Sequence, residues 1–295
     1  MGVCKALLVA GVAVFGVAGA ALAADLPPPP PMDYPPPPIE PISYSGWYLR
    51  GDVGVGASQS PDLRSSFDAG FEVPSPRFDQ QSLGDAAFAG AGIGYQFNSW
   101  IRFDITGEYR TALSLSSVQS YDCSAFGCAD AFGNTRAFDK YSGTVQSIVA
   151  LLNASIDIGT WYGITPFVTA GVGGAFNHVS SITDVGVNGP GGFGVGGFGF
   201  SRAHDDTDLA WAVGAGISYA VTPNLKLELA YRYLDMGTIR TGQIVCQNTG
   251  ACGNEVQRIS LSSQDVKLGM RWMFSDIAPP PVMYAPPPPP LVRKY

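Results

Sequence analysis

His178-Val179-Ser180 sets a histidine two residues ahead of a serine. Residues two apart share one face of a strand, so this spacing can bring a base beside a nucleophile. Asp184 is the acid within reach in sequence that could orient the base. A second candidate is "HDDTD", His204 to Asp208, where Asp205, Asp206 and Asp208 could share a cation. It lacks the twelve-residue calcium-loop pattern and reads as a solvated acidic loop. Four cysteines fall in two short stretches, "CSAFGC" and "CQNTGAC". Zinc would want CxxC spacing and usually histidine, and neither is present. Two local disulfides, Cys123–Cys128 and Cys246–Cys252, are the simpler expectation, with no metal. The run "GVNGPGGFGVGGFGFS", Gly186 to Ser201, contains several GxG pieces. A phosphate-cradling loop would need a helix after it and usually a lysine, and both are missing. It reads as an exposed flexible loop with Phe193, Phe198 and Phe200 as points of attachment.

None of these stretches acts alone, so the elements that position them matter more. Lys5 precedes an apolar run from Ala6 to about Ala18, followed by Ala21-Leu22-Ala23 before Ala24-Asp25. That is the layout of an export signal with its cleavage site, expected to span residues 1–23. The apolar run is short for a membrane helix, which needs about 20 residues. Cys4 precedes the run, so it is not placed to carry a lipid anchor. Loss of Lys5 lowers Lys+Arg from 17 to 16 against 24 acids, a net charge of −8. An acidic chain without a basic cluster argues against nucleic acid as a partner. An even set of cysteines in an exported chain agrees with disulfides. Residues 24–45 are proline-rich and cannot build a core, and residues 275–295 repeat that composition.

Between them, over residues 46–274, the recurring signal is period-two alternation bounded by Gly, Asn, Asp and Ser. Eight such runs are present. In the first, Trp47, Leu49, Val53 and Val55 oppose Tyr48, Arg50 and Asp52. The second sets Ile93, Tyr95 and Phe97 against Phe88, Gly90, Gly92 and Gly94. In the third, Ile101, Phe103, Ile105 and Tyr109 alternate with Arg102, Asp104, Glu108 and Arg110. The fourth is weaker, because Val149 and Leu151 share the face of Ser147, Asn153, Ser155 and Asp157. The fifth and sixth pair apolar positions with Gly171, Gly173, Gly214 and Gly216. The seventh sets Leu227, Leu229, Tyr231 and Tyr233 against Lys226, Glu228 and Arg232. The eighth sets Val266, Leu268, Met270, Trp272 and Phe274 against Asp265, Lys267 and Arg271.

A soluble barrel would turn the apolar face inward, and an outer-membrane barrel would turn it to lipid. Three features favour lipid. Charges of both signs occupy the minority face: Arg50, Asp52, Arg102, Asp104, Glu108, Arg110, Lys226, Glu228, Arg232, Lys267 and Arg271. Inside a narrow barrel such charges can pair and fill the space that glycine leaves on neighbouring strands. Aromatics lie near strand ends on the apolar face, as in an interfacial girdle: Trp47, Tyr95, Phe97, Tyr109, Trp211, Tyr219, Tyr233, Trp272 and Phe274. Connections also alternate between short turns and long loops, the pattern of periplasmic and extracellular sides. The expected fold is therefore all-β: an eight-stranded antiparallel up-and-down transmembrane β-barrel with disordered Pro-rich tails, ending at Phe274.

The stretches "WYLRGDVG", "PFVTAGVGGAF", "WAVGAGISYAVTPNLKLELAYRYLDMG" and "DVKLGMRW", with "AADLPPPP" after the signal, carry a family resemblance. The chain resembles the small outer-membrane β-barrel proteins of alphaproteobacteria, the porin-family, opacity-like or outer-membrane immunogenic proteins. That resemblance implies a role in envelope integrity and surface antigenicity and, in some members, pore formation. It brings no catalytic motif and no cofactor. The tail after Phe274 departs from the family habit of ending at the last aromatic. Some eight-stranded outer-membrane barrels modify lipids, and one deacylase group carries a His-x-Ser pair facing lipid. Here "SITD" follows without that group's extended motif, so no enzyme is expected. Eight strands enclose a lumen just wide enough for side chains. A structural and surface-exposed protein is the first expectation, and a small-solute porin is the alternative. Expected partners are outer-membrane lipid and lipopolysaccharide, with peptidoglycan or a periplasmic protein met through the tails. Loops are expected outside the cell and both termini in the periplasm.

Overall fold

The computed structural model describes residues 45–66, 76–127, 133–187, 197–247 and 255–274. The export signal, both Pro-rich segments, Phe193, Cys128 and Cys252 lie outside the described residues. Thirteen strands follow in chain order: β1 (Gly46–Ser58), β2 (Leu63–Ser65), β3 (Arg77–Leu83), β4 (Ala86–Gln96), β5 (Ile101–Asp122), β6 (Arg136–Asp157), β7 (Ile164–Val179), β8 (Thr183–Val187), β9 (Phe198–Ser201), β10 (His204–Ala220), β11 (Leu225–Arg240), β12 (Ile244–Cys246) and β13 (Gln257–Met273). The long ones close on themselves. β1 pairs with β4, and the chain of ladders runs through β5, β6, β7, β10, β11 and β13 back to β1. Every ladder is antiparallel, which leaves no open edge within the ring. Among the described residues no helix is long and apolar enough to cross a membrane.

The two faces of the wall differ as the alternation requires. Leu229, Leu268 and Met270 are about half exposed on the outside, while Glu228 and Arg271 are buried. Aromatics gather at the end with the short turns: Trp47, Tyr95, Phe97 and Phe103 stack edge to face in succession, with centroids 5.0 to 5.7 Å apart. Trp211 and Tyr233 meet toward the other end at 5.4 Å. Trp100, Trp161 and Tyr162, which sit in or beside the turns, are exposed there too. β13 stops at Met273, one residue before the expected end. Phe274 is nevertheless tied to the wall, its N–H donating to the Trp47 carbonyl at 3.0 Å.

Glycine on the inner face makes room for large neighbours. A Cβ at Gly54 would run into the Phe88 ring, and one at Gly94 into the Tyr48 ring. Two β-bulges then reverse the inward parity. In β5 the register shifts between Arg110 and Leu113, so Leu113 and Leu115 point inward where even-numbered residues did before. In β11 it shifts between Asp235 and Thr238, around Gly237 at φ 78°, and Ile239 turns inward. Around these bulges Val145, Val149, Leu234, Met236, Ile259 and Leu261 form one buried apolar cluster, with Tyr141 at its edge toward the collar. This explains Val149 and Leu151 on the inner face of the fourth run.

The long connections depart from expectation. β5 and β6 continue their ladder to Asp122 and Arg136, well beyond the expected third and fourth strands. β2, β3, β8, β9 and β12 add further pairing where loops were expected. The ring thus carries a collar of extra sheet beyond its girdle, on the side opposite the short turns.

Candidate functional site: the charged lumen

The inner-face charges meet in three linked groups. Arg50 on β1 lies at the centre. Its Nε and Nη2 donate to the two Asp52 oxygens, each at 2.9 Å, and its Nη1 donates to Asp104 Oδ2 at 2.9 Å. Glu228 Oε2 approaches Arg50 Nη2 at 3.4 Å, and Lys267 Nζ stands 3.6 Å from Asp52. Asp104 also accepts from the Tyr48 hydroxyl and the Asn153 amide, both at 2.8 Å. Toward the collar, Arg110 donates to Glu108 at 2.8 Å and to both Asp265 oxygens at 2.8 and 3.0 Å. Arg232 reaches both Glu108 oxygens at 2.9 Å and Asp265 at 3.0 Å. Toward the short turns, Arg102 pairs with Asp157, and Arg271 Nε lies 3.2 Å from Glu228. Arg110 and Arg232 also lie over the Phe88 ring, with guanidinium carbons 4.9 and 5.2 Å from its centroid.

Each expected lumen residue therefore sits on the inner wall, and all are buried except the partly buried Lys226 and Lys267. Asp157 and Asp265 join the expected set on the inner wall, both buried and of the same parity. They supply carboxylates that Arg102, Arg110 and Arg232 require. A cavity of about 20 Å³ remains beside Arg50, Asp52, Asn153 and Lys267, room for roughly one water. The buried apolar cluster lies beyond it, toward the collar.

The other candidates change in detail. His178 lies inside β7, on its outer face. Its Nδ1 is 2.5 Å from Asp205 Oδ1, because β10 pairs with β7 in that register. Asp184 is excluded as the orienting acid, since it is buried on the inner face of β8. The Ser180 hydroxyl is held by Thr144, accepting from its N–H and its Oγ1, each at 2.9 Å. "HDDTD" is the start of β10 and not a loop. Asp206 and Asp208 accept backbone N–H groups of Arg240 and Thr238 at 2.9 and 2.7 Å, beside the β11 bulge where ladder bonds are interrupted. Among the described residues no three His, Cys, Asp or Glu side chains gather to hold a metal. Cys123 and Cys246 are each disulfide-bonded. Phe198 and Phe200 are exposed on β9, with rings 6.4 Å apart.

A closed antiparallel ring that is apolar outside and ionic inside is a transmembrane β-barrel of the outer-membrane class. The chain belongs to the outer membrane protein beta-barrel domain family, whose match covers residues 11–274. An uncharacterized Brucella abortus protein is 29% identical over 262 residues, 80% of this chain and 88% of that one. The 31 kDa outer-membrane immunogenic protein of Brucella melitensis is 23% identical over 278 residues, 92% of this chain and 100% of that one. Outer membrane protein PagN of Salmonella typhimurium is 25% identical over 197 residues, 66% and 76% of the two chains. Among solved structures, outer membrane protein OprG of Pseudomonas aeruginosa aligns with a TM-score of 0.41 at 12% identity, covering 79% of this chain and 98% of that one. The protein is an outer-membrane β-barrel protein.

Proposed function

We propose that this barrel is a sealed structural and surface-exposed component of the outer membrane, without catalytic activity. The observation that carries this reading is the filled interior: Arg50, Asp104, Glu108, Arg232 and Asp265 bridge across the lumen, and the apolar cluster stands beyond them. A buried charge without its partner costs several kcal/mol, so the set resists being pulled apart to admit a solute. The porin reading is the weaker one for the same reason.

The short turns belong on the periplasmic side and the collar outside the cell, following the general outer-membrane pattern. Residues 1–23 are the cleaved export signal. The Pro-rich segments then both start from the periplasmic rim. Polyproline II rises about 3.1 Å per residue, so each can act as a spacer some tens of Å long. Arg293 and Lys294 give the second one a basic tip suited to peptidoglycan or an acidic periplasmic protein. Lipid and lipopolysaccharide surround the wall, and no nucleic acid is engaged. On intact cells, an epitope inserted in the Gly186–Ser201 stretch should be labelled, and one after Lys294 only once the outer membrane is permeabilised. The reverse pattern would overturn the orientation. Crosslinking the tail in permeabilised cells separates a peptidoglycan tether from a plain spacer.

In the collar, the cysteines form two local rings, Cys123–Cys128 and Cys246–Cys252. Such short rings stabilise locally, at the low end of about 0–5 kcal/mol. Non-reducing peptide mapping should recover each pair within its own loop. Peptides joined between the two loops, or free thiols, would contradict the pairing.

A further inference from the structure

The collar holds carboxyl groups of a different kind from those in the lumen. Asp139 on β6 and Asp184 on β8 both face its interior, two residues apart in a ladder where Tyr141 opposes Asp184. Asp184 is buried, and its Oδ1 has no hydrogen-bond partner. Glu255, which bridges to Ile244 before β13 begins, points into the same space. It accepts from the Tyr141 hydroxyl at 2.9 Å and from the Ser65 hydroxyl at 2.6 Å. Gln257, two residues along on the same inward face, is fully buried with both amide atoms unpartnered. From β5 the facing groups are Gln119, whose Oε1 lies 3.1 Å from the Tyr141 hydroxyl, and Tyr121.

Among the described residues no Lys, Arg or His pairs with Asp139 or Asp184. The cations of β6 are directed elsewhere: Arg136 donates to Ser120 Oγ at 2.6 Å, and Lys140 is exposed on the outer face. In the lumen every buried carboxylate named above has an arginine or lysine beside it. Here Asp139 and Asp184 have no cation beside them among the described residues, and Glu255 adds a further negative charge to the same space. We propose that the collar is a proton-dependent latch: β8 and its partner β9 stay docked on the barrel extension while Asp139 and Asp184 carry protons, and loosen when these groups ionise.

The electrostatics agree. Burial, reinforced by Glu255, pushes the Asp139 carboxyl up to about 7. Burial first, then Asp139 and Glu255, pushes Asp184 up to about 8. Burial likewise raises the Tyr141 hydroxyl, so it stays a donor. Both acids bind protons more tightly in the folded collar than in the unfolded chain. Their contribution to docking is therefore complete below about pH 4, declines as pH rises, and is gone once pH passes about 8.

The test uses the full chain refolded into lipid. At about pH 6, below both carboxyl values, infrared spectra should contain a protonated carboxylic acid band that Asp139→Asn with Asp184→Asn removes. Hydrogen-exchange protection of the Thr183–Val187 amides, corrected for intrinsic rates, should fall by about tenfold or more between pH 6 and pH 9. In the double variant it should stay constant. Absence of the acid band, or unchanged wild-type protection at high pH, would overturn the latch. So would recovery of wild-type protection at pH 9 on adding calcium, which would assign the cluster to a cation. Should the double variant fail to insert, the wild-type infrared titration decides the matter: a band lost near neutral pH supports the latch, and one lost below about pH 5 refutes it.

Discussion

Arg50→Ala is expected to destabilise the barrel by about 3–5 kcal/mol. Arg50 donates to Asp52 and Asp104 and approaches Glu228, all three buried with it on the inner wall. Alanine leaves those buried carboxylates without the guanidinium that paired them, facing one another across the hole it vacates. Of these carboxylates, Lys267 lies within ion-pair distance of Asp52 only. Urea unfolding of the refolded protein in lipid measures the loss. Replacing Asp52 and Asp104 by asparagine in the same chain should return much of it, because the stranded charges are then removed. A loss below about 1 kcal/mol for Arg50→Ala would mean that the lumen is wet enough to screen the pairs.

Leu229→Arg should cost about 2–4 kcal/mol through a different route. Leu229 lies on the outer face of β11, opposite Ile217 of β10 and Leu268 of β13, and all three are about half exposed there. It is four residues from Tyr233 and thus well inside the apolar band. An arginine there has only hydrocarbon around it, unless it stretches to the interface. The neighbour Glu228 faces the lumen. Leu229→Cys should be reached by a lipid-soluble quencher and Glu228→Cys should not. The opposite pattern would place the whole strand one residue out of register, since a slip of one exchanges the two faces.

These two effects come from features visible in the sequence at different strengths. Leu227, Leu229, Glu228 and Arg232 are legible because a strict period of two survives along β11 up to its bulge. Asp157 and Asp265 share the inward parity of their strands and were readable there. Asp157 stands at the end of its run beside the apolar Val149 and Leu151, and Asp265 opens its run, so neither belongs to the middle of a clear alternation. The bulges at Arg110–Leu113 and Asp235–Thr238 are another matter. An extra residue reverses parity without any composition signal, apart from Gly237 with its left-handed backbone. Past the bulge, Leu113 and Leu115 point into an apolar interior, and a count that assumes one unbroken face assigns them to the wrong side. The collar was hidden for a related reason. Its short strands, such as Thr183–Val187 and Phe198–Ser201, gain stability from pairing with distant segments rather than from local propensity. The same long-range pairing brings Asp205 to His178, a partner that proximity in sequence assigned to Asp184.

The central claim is that paired charges and the apolar cluster close the lumen. Single-channel recording of the mature full-length chain in planar bilayers tests it most directly. The chain should insert, as confirmed by heat-modifiable mobility of the recovered protein, and show no steady conductance above that of the bare bilayer. A stable, reproducible open level that scales with salt concentration would contradict it and would make the barrel a pore.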